Sequence, residues 1–349
     1  MKLFLLFLLL LVAFCSTGDA RKSKLRIRRH VPQRFGSRSH YHHDPRDENS
    51  MSVVVPVGTP QQDLELLFDT TVSDVFVPLC PKQLNQTYRE CFDASASTTF
   101  KRLTADTAQD MLSRSMIAKG NMFTFITTEY RPDVFGGMGT AGIGWPSLRK
   151  HPSDSYFPEN VTSLAIGIDL DGCESSIDFD GTCKTNAGSV YLPITSKSYW
   201  QFTIKDLHLG KFNESVNGQM VIATNKEYIG MPKKFLDQLT SLHGIIWEAD
   251  YGAYSVECDK ASALPDLHFV TDGGVVTIPA KSYVYVWEPL SNGRCVVNFE
   301  DSKAFGFGPE WYIGIQIVTD YCVTLDYKNA RIVMTKNKED NGNLSCHEK

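Results

Sequence analysis

The sequence predicts an all-β protein of two similar lobes with a few short helices, and three observations carry that reading. From Ser52 onward, short alternating or apolar runs are separated by Gly, Pro, Asn and Asp, the pattern of half-buried strands and their turns. Helical signals are few, chiefly Pro232 to Leu242 and Asp301 to Ala304. An apolar run entering x-Thr-x occurs twice, as Leu66-Leu67-Phe68-Asp69-Thr70-Thr71 and as Met220-Val221-Ile222-Ala223-Thr224-Asn225, with Pro78 and Pro232 following at equal distances. Such a repeat implies a duplicated half-fold whose two loops face one another. The length of 349 residues, with 42% hydrophobic and 21% charged residues, excludes a disordered, collagen-like or coiled-coil chain. It is enough for two lobes rather than one enlarged core.

Taken in order, the first element is a secretory signal over residues 1–20. Lys2 precedes an apolar run from Leu3 to Cys15, and Gly18-Asp19-Ala20 suits a small-x-small cleavage site. The run is too short to span a bilayer, which takes about 20 residues, so a secreted, extracellular protein with no membrane attachment after signal removal is expected. Residues 21–49 form a basic arm with nine Lys or Arg against three acids, ahead of an acidic body. Such an arm reads as a propeptide-like leader lying on that body, or as a solvated tail trimmed near Arg28-Arg29. Nucleic acid is not an expected partner of an exported chain. The body divides into an N-terminal lobe, 50–194, and a C-terminal lobe, 195–349. Expected strands include Ser52 to Val57, Leu64 to Phe68, Met122 to Thr127, Ser189 to Leu192, Trp200 to Ile204 and Arg331 to Met334.

Removing Cys15 with the signal leaves eight cysteines, an even number that suits bridges in an oxidising compartment. Proximity suggests Cys80 with Cys91, Cys173 with Cys183, and Cys258 with Cys295, and leaves Cys322 and Cys346 open. Sequons stand at Asn85, Asn160, Asn213 and Asn343, expected to carry glycans at exposed positions. No Cys or His spacing suggests zinc. His40, His42 and His43 lie in a polar stretch without acidic or Cys co-ligands, so neither a metal nor a cofactor is expected.

Five motifs in order resemble the pepsin-like aspartic peptidase family. Val57-Gly58-Thr59-Pro60-Gln61-Gln62 with Phe68-Asp69-Thr70 resembles its first strand and first catalytic loop. Gly139-Thr140-Ala141-Gly142-Ile143-Gly144-Trp145-Pro146-Ser147 resembles its apolar-apolar-Gly segment with aromatic-Pro-Ser. Tyr191-Leu192-Pro193-Ile194 through Tyr199-Trp200-Gln201-Phe202 is similar to the start of the second lobe. Leu264-Pro265-Asp266-Leu267-His268-Phe269 resembles the loop enclosed by the second-lobe disulfide, here Cys258 and Cys295. Trp311-Tyr312-Ile313-Gly314 and Val323-Thr324-Leu325-Asp326 resemble the closing strands. The resemblance implies a bilobal pepsin-like fold over residues 52–336.

It also implies a chemistry. Two carboxylates, one per lobe and about 3 Å apart, share a proton so that one acts as base on a water while the other acts as acid. This chain keeps Asp69, but the matching second position is Ala223, which can neither hold nor move a proton. The nearest acid in that loop, Glu227, falls where the family has a small polar residue and is not expected to reach Asp69. The family's loop glycines are replaced by Thr71 and Asn225, which puts bulk beside the cleft floor. Thr70 and Thr224, whose counterparts bond across the lobe junction, are both present. The flap stretch between Phe100 and Gly139 lacks the family's Tyr before Gly-Thr-Gly. Losing one member of a catalytic unit costs on the order of 10⁴-fold or more.

The expectation is therefore an inactive homologue, monomeric, which binds a peptide or protein in the cleft through Thr70, Thr71, Thr224 and Asn225, with Asp69 as a structural carboxylate. The alternatives are an active endopeptidase with an unorthodox second acid or with Asp69 supplied twice by a dimer, and a structural extracellular glycoprotein with a closed cleft. The basic arm resembles the family's leader, which covers the acidic cleft until acid releases it, in charge though not in motif.

Overall fold

The computed structural model describes residues 24–30, 50–81, 90–112, 122–131, 138–150, 161–169, 174–286, 289–303 and 309–337. The signal segment, most of the arm, Asn85, Asn160, Asn343, Cys173 and Cys346 lie outside them.

Among the described residues eleven strands precede residue 200: β1 (Lys24–His30), β2 (Ser50–Val57), β3 (Gln62–Asp69), β4 (Val75–Leu79), β5 (Lys101–Arg102), β6 (Thr107–Met111), β7 (Met122–Glu129), β8 (Gly139–Gly142), β9 (Ser163–Asp169), β10 (Glu174–Phe179) and β11 (Val190–Pro193). The rest are β12 (Gln201–Leu209), β13 (Phe212–Ile222), β14 (Ile229–Met231), β15 (Ile246–Glu248), β16 (Ala253–Glu257), β17 (Leu267–Thr271), β18 (Gly274–Ile278), β19 (Val284–Tyr285), β20 (Arg294–Val297), β21 (Phe299–Asp301), β22 (Trp311–Ile313), β23 (Tyr321–Asp326) and β24 (Arg331–Lys336). The first eleven join β23 and β24 in a 13-stranded sheet ordered β11-β24-β23-β9-β10-β1-β2-β3-β8-β4-β7-β6-β5. A seven-stranded sheet, β18-β17-β12-β13-β22-β14-β21, and a four-stranded one, β15-β16-β20-β19, complete a bilobal, all-β molecule.

The strands follow their side-chain alternation. In the β2–β3 hairpin, Val53, Val55 and Val57 on one strand and Leu64, Leu66 and Phe68 on the other are all buried, placing one apolar face on the core. All six strand runs expected from the sequence are present.

Of the two helical expectations one holds. Helix α1 (Lys233–His243) starts after Pro232, buries Leu236 and Leu239, and stops at Gly244, whose φ of 65° gives the left-handed cap. Asp301 instead ends β21, which pairs in parallel with β14, and the Ser302 amide donates to the Met231 carbonyl at 3.0 Å; Ala304 lies outside the described residues. Burial of Phe299 and pairing with a distant strand override the local helical tendency there.

Two disulfides join the expected partners, Cys80 with Cys91 and Cys258 with Cys295. The third corrects the expectation that Cys183 pairs with Cys173: Cys183 is bonded to Cys322, 139 residues away. The reason is topological. Strand β9 separates β10 from β23, and the chain after β10 turns back over the sheet, where the Cys183 amide donates to Thr324 Oγ1 at 2.9 Å.

Trp145, Trp200 and Tyr327 form an aromatic cluster with ring centroids 4.7 to 5.3 Å apart. Trp200 Nε1 (3.0 Å) and Tyr327 Oη (2.7 Å) both donate to the Ile143 carbonyl. Three segments distant in sequence are thus fixed on one backbone oxygen, that of the residue directly after Gly142, which ends β8 opposite Asp69.

Candidate active-site cleft

The two repeated runs end in equivalent settings. Strand β3 runs parallel to β8, which pairs antiparallel with β4; β13 runs parallel to β22, which pairs antiparallel with β14. Asp69 ends β3 opposite Gly142, and Ala223 follows the end of β13, its amide donating to the Ile313 carbonyl at 3.0 Å. Glycine is required at the crossing points. A Cβ on Gly142 would stand 2.4 Å from the Asp74 carbonyl oxygen, and one on Gly314 2.5 Å from that of Lys226, both closer than non-bonded atoms can come.

The loops are locked to each other by fully buried threonines. The Thr70 amide donates to Thr224 Oγ1 and the Thr224 amide to Thr70 Oγ1, each at 3.1 Å. Thr70 Oγ1 donates to the Ile222 carbonyl (2.6 Å) and Thr224 Oγ1 to the Phe68 carbonyl (2.9 Å). Every hydroxyl both accepts and donates, so the buried groups are satisfied in a two-fold arrangement.

Asp69 is 7% exposed. Its Oδ1 accepts from the Thr71 amide (2.7 Å) and from Thr71 Oγ1 (2.6 Å). Burial pushes its carboxyl above the ordinary range, while the two Thr71 bonds and the charge of Lys226 pull the other way. Thr71 is therefore a direct ligand of the carboxylate. Neither Thr71 nor Asn225 has a positive φ, so the loops hold these side chains without the strain that a family glycine position suggests. Asn225 is exposed.

Opposite, Ala223 contributes a buried methyl. Glu227 is 4% exposed and its Oε1 accepts from Tyr285 Oη, on β19, at 2.9 Å. The charge that bears on Asp69 from this loop is cationic, from Lys226. Lys226 and Tyr285 were not singled out by sequence reasoning. Lys226 was legible in principle, since it stands three residues beyond the Ala223 position; Tyr285 arrives from a remote strand and had no local signal.

Strands β6 and β7 form an antiparallel hairpin in register from Thr107↔Ile126 to Met111↔Met122, the frame of a flap, although the stretch lacks the family's motif; residues 113–121 lie outside the described set. Asn213 is exposed on β13, opposite His208. Among the described residues no group of three or more His, Cys, Asp or Glu side chains is placed to hold a metal.

Comparison with known proteins agrees with this geometry. A family model described as eukaryotic aspartyl protease matches residues 52–111 and 167–337. Aspartic protease 17 of Caenorhabditis elegans is 25% identical, covering 94% of this chain and 97% of its own length. Aspartic protease 1 of the same organism is 24% identical (80% of each), and pepsin A of Gallus gallus is 24% identical (80% of this chain, 82% of its own). The stretch between the matched segments includes β8, which the structure seats beside Asp69. With paired strand-and-loop units meeting at Thr70 and Thr224 and a family match over more than half of its length, this chain belongs to the eukaryotic aspartyl protease family and has the pepsin-like fold.

Proposed function

We propose that this chain is a non-hydrolysing member of its family that holds a peptide or protein segment in the cleft above the Asp69 loop. The observation that carries the reading is the methyl group of Ala223 at the second acid position. Amide hydrolysis by this fold needs a second carboxyl to pass the shared proton. Glu227 is engaged by Tyr285, and the charge reaching Asp69 from the second loop is that of Lys226. An ammonium there favours ionised Asp69 and offers no proton exchange in acid.

The framework that would hold an extended segment is retained: cross-bonded loops, an accessible Asn225 and the β6–β7 hairpin. The rest of the reading is a monomer with lobes 50–194 and 195–349, exported behind residues 1–20 and glycosylated at its exposed sequons. Three disulfides support an oxidising compartment, and no helix among the described residues is long and apolar enough to cross a membrane.

The test is a peptidase assay on purified protein with acid-denatured protein substrates from pH 2 to 6, paired with calorimetric titration of extracellular peptides. Binding without turnover is expected. Turnover that disappears in Asp69→Ala would overturn the proposal.

A further inference from the structure

Asp69 and Ala223 each directly precede one threonine of the cross-bonded pair, Thr70 and Thr224, and so stand in equivalent places on its two sides. On one side Thr71 supplies both hydrogen bonds to Asp69 Oδ1, through its amide and its hydroxyl, and among the described residues Oδ2 accepts none. A carboxyl group only 7% exposed thus keeps one oxygen without a protein partner, a costly state that a bound group would relieve. On the other side the methyl of Ala223 is smaller, by a carboxyl group, than the aspartate of an active family member. Lys226 closes a turn on this position: its amide donates to the Ala223 carbonyl at 2.9 Å, and its Nζ lies 5.8 Å from the centre of the Tyr312 ring. Lys226 is exposed, its charge bears on Asp69, and among the described residues it forms no ion pair. The neighbouring acid, Glu227, is engaged by Tyr285.

From this arrangement we infer that the cleft binds a carboxylate carried by its ligand, a peptide C-terminus or an Asp or Glu side chain, in the place that Ala223 leaves, with Asp69 Oδ2 and the Lys226 ammonium as its partners. The inference rests on the cleft-binding reading above and names the chemistry of the bound segment. The charges close. Two carboxyl groups, one proton between them and one ammonium sum to zero, whereas two ionised carboxylates would leave an excess negative charge in a buried place. Burial holds the Asp69 carboxyl above its ordinary range, so the bond runs from Asp69 Oδ2–H to the ligand carboxylate, a charge-assisted pair. A carboxamide in the same place would give Asp69 a partner and leave the ammonium without a counter-ion, and this difference sets the preference. Strand β8, which ends in Gly142 opposite Asp69, brings no charge of its own.

The experiment uses the full folded protein at pH 5 with two kinds of probe. Acetate, with acetamide as its neutral counterpart, is titrated while the Asp69 carboxyl carbon is followed by NMR. Calorimetry then compares the peptide acetyl-Val-Val-Phe ending in a free carboxylate with the same peptide ending in a carboxamide, and with an amidated version that has Asp in place of its central Val. Acetate is expected to move the Asp69 signal saturably and acetamide to leave it in place. A carboxylate-bearing peptide is expected to bind about ten-fold or more tightly than the fully neutral one. Whichever of the two acidic peptides binds more tightly identifies the source, terminus or side chain, and supports the inference. Lys226→Met, at an exposed position, and Ala223→Asp, which supplies a carboxyl from the chain itself, are each expected to erase the preference, with circular dichroism verifying the fold. Equal affinity for acidic and neutral peptides, an Asp69 signal indifferent to acetate, or a preference unchanged in Lys226→Met overturns the inference and leaves the cleft-binding reading standing. That reading fails separately, by turnover in the peptidase assay.

Discussion

Thr70 and Thr224, 154 residues apart, each donate a backbone amide to the other's hydroxyl at 3.1 Å. The bond pair joins the two loops that in an active family member would carry the acids. Here one loop opens with Asp69 and the other with Ala223, so the linkage persists without the dyad it would align.

Replacing either threonine by valine is expected to cost about 1–3 kcal/mol for each buried amide or carbonyl left unpaired. Urea unfolding of Thr70→Val, Thr224→Val and the double variant checks it. The double variant should lose less than the sum, because each single change strands the partner's groups.

The missing proton acceptor can be restored. Ala223→Asp combined with Thr71→Gly and Asn225→Gly should yield a protein that cleaves acid-denatured substrates, where the proposed function predicts none for the parent chain. Adding Lys226→Thr should raise the rate further by removing the cation that favours full ionisation of the dyad. Product formation by mass spectrometry across pH 2 to 6 decides, and an inert quadruple variant would show that the defect lies elsewhere, in the cleft walls or flap.

Burial raises the Asp69 carboxyl above its ordinary value of 3.8, against the pull of Thr71 and Lys226. The folded state therefore binds this proton more readily than the unfolded state, and its contribution to stability falls as pH rises from 3.8 through the folded value. Thr71→Val and Lys226→Met should each raise the Asp69 midpoint further, read from its carboxyl carbon chemical shift. An unchanged midpoint in both would mean that neither group acts on it.

Asp320 is a second site with the same sign. Burial pushes its carboxyl up to about 6, opposed by the bond from Ser282 Oγ (2.7 Å) and by the charges of Lys281 and Lys336. Its ionisation lowers stability as pH rises from 3.8 to about 6. Asp320→Asn, which can keep the Ser282 bond, should flatten the pH dependence of the thermal midpoint over that window.

The Cys183–Cys322 bridge closes a loop with a sequence separation of 139, for which chain entropy gives roughly 4–5 kcal/mol of stabilisation. Cys183→Ala with Cys322→Ala should lower the unfolding free energy by several kcal/mol, and a non-reduced peptide map should contain the linked pair. A map joining Cys183 to another cysteine would contradict the sheet arrangement at β9 and β23.

Read alone, the sequence determined the strand-rich two-lobed body, the positions of Asp69 and Ala223, and the persistence of Thr70 and Thr224. Side-chain alternation, turn residues and a repeated loop are local signals, and each is set by a few neighbouring residues. The tertiary structure decided what depends on segments meeting from afar: Cys183 bonding Cys322, Glu227 facing Tyr285, Lys226 bearing on Asp69, and Asp301 extending a strand where local pattern suggested a helix. It also turned a basic arm into a sheet strand. Main-chain pairing uses N–H and C=O groups that every residue but proline carries, so it leaves little trace in residue type, and only the packed sheet reveals which backbone fills which gap.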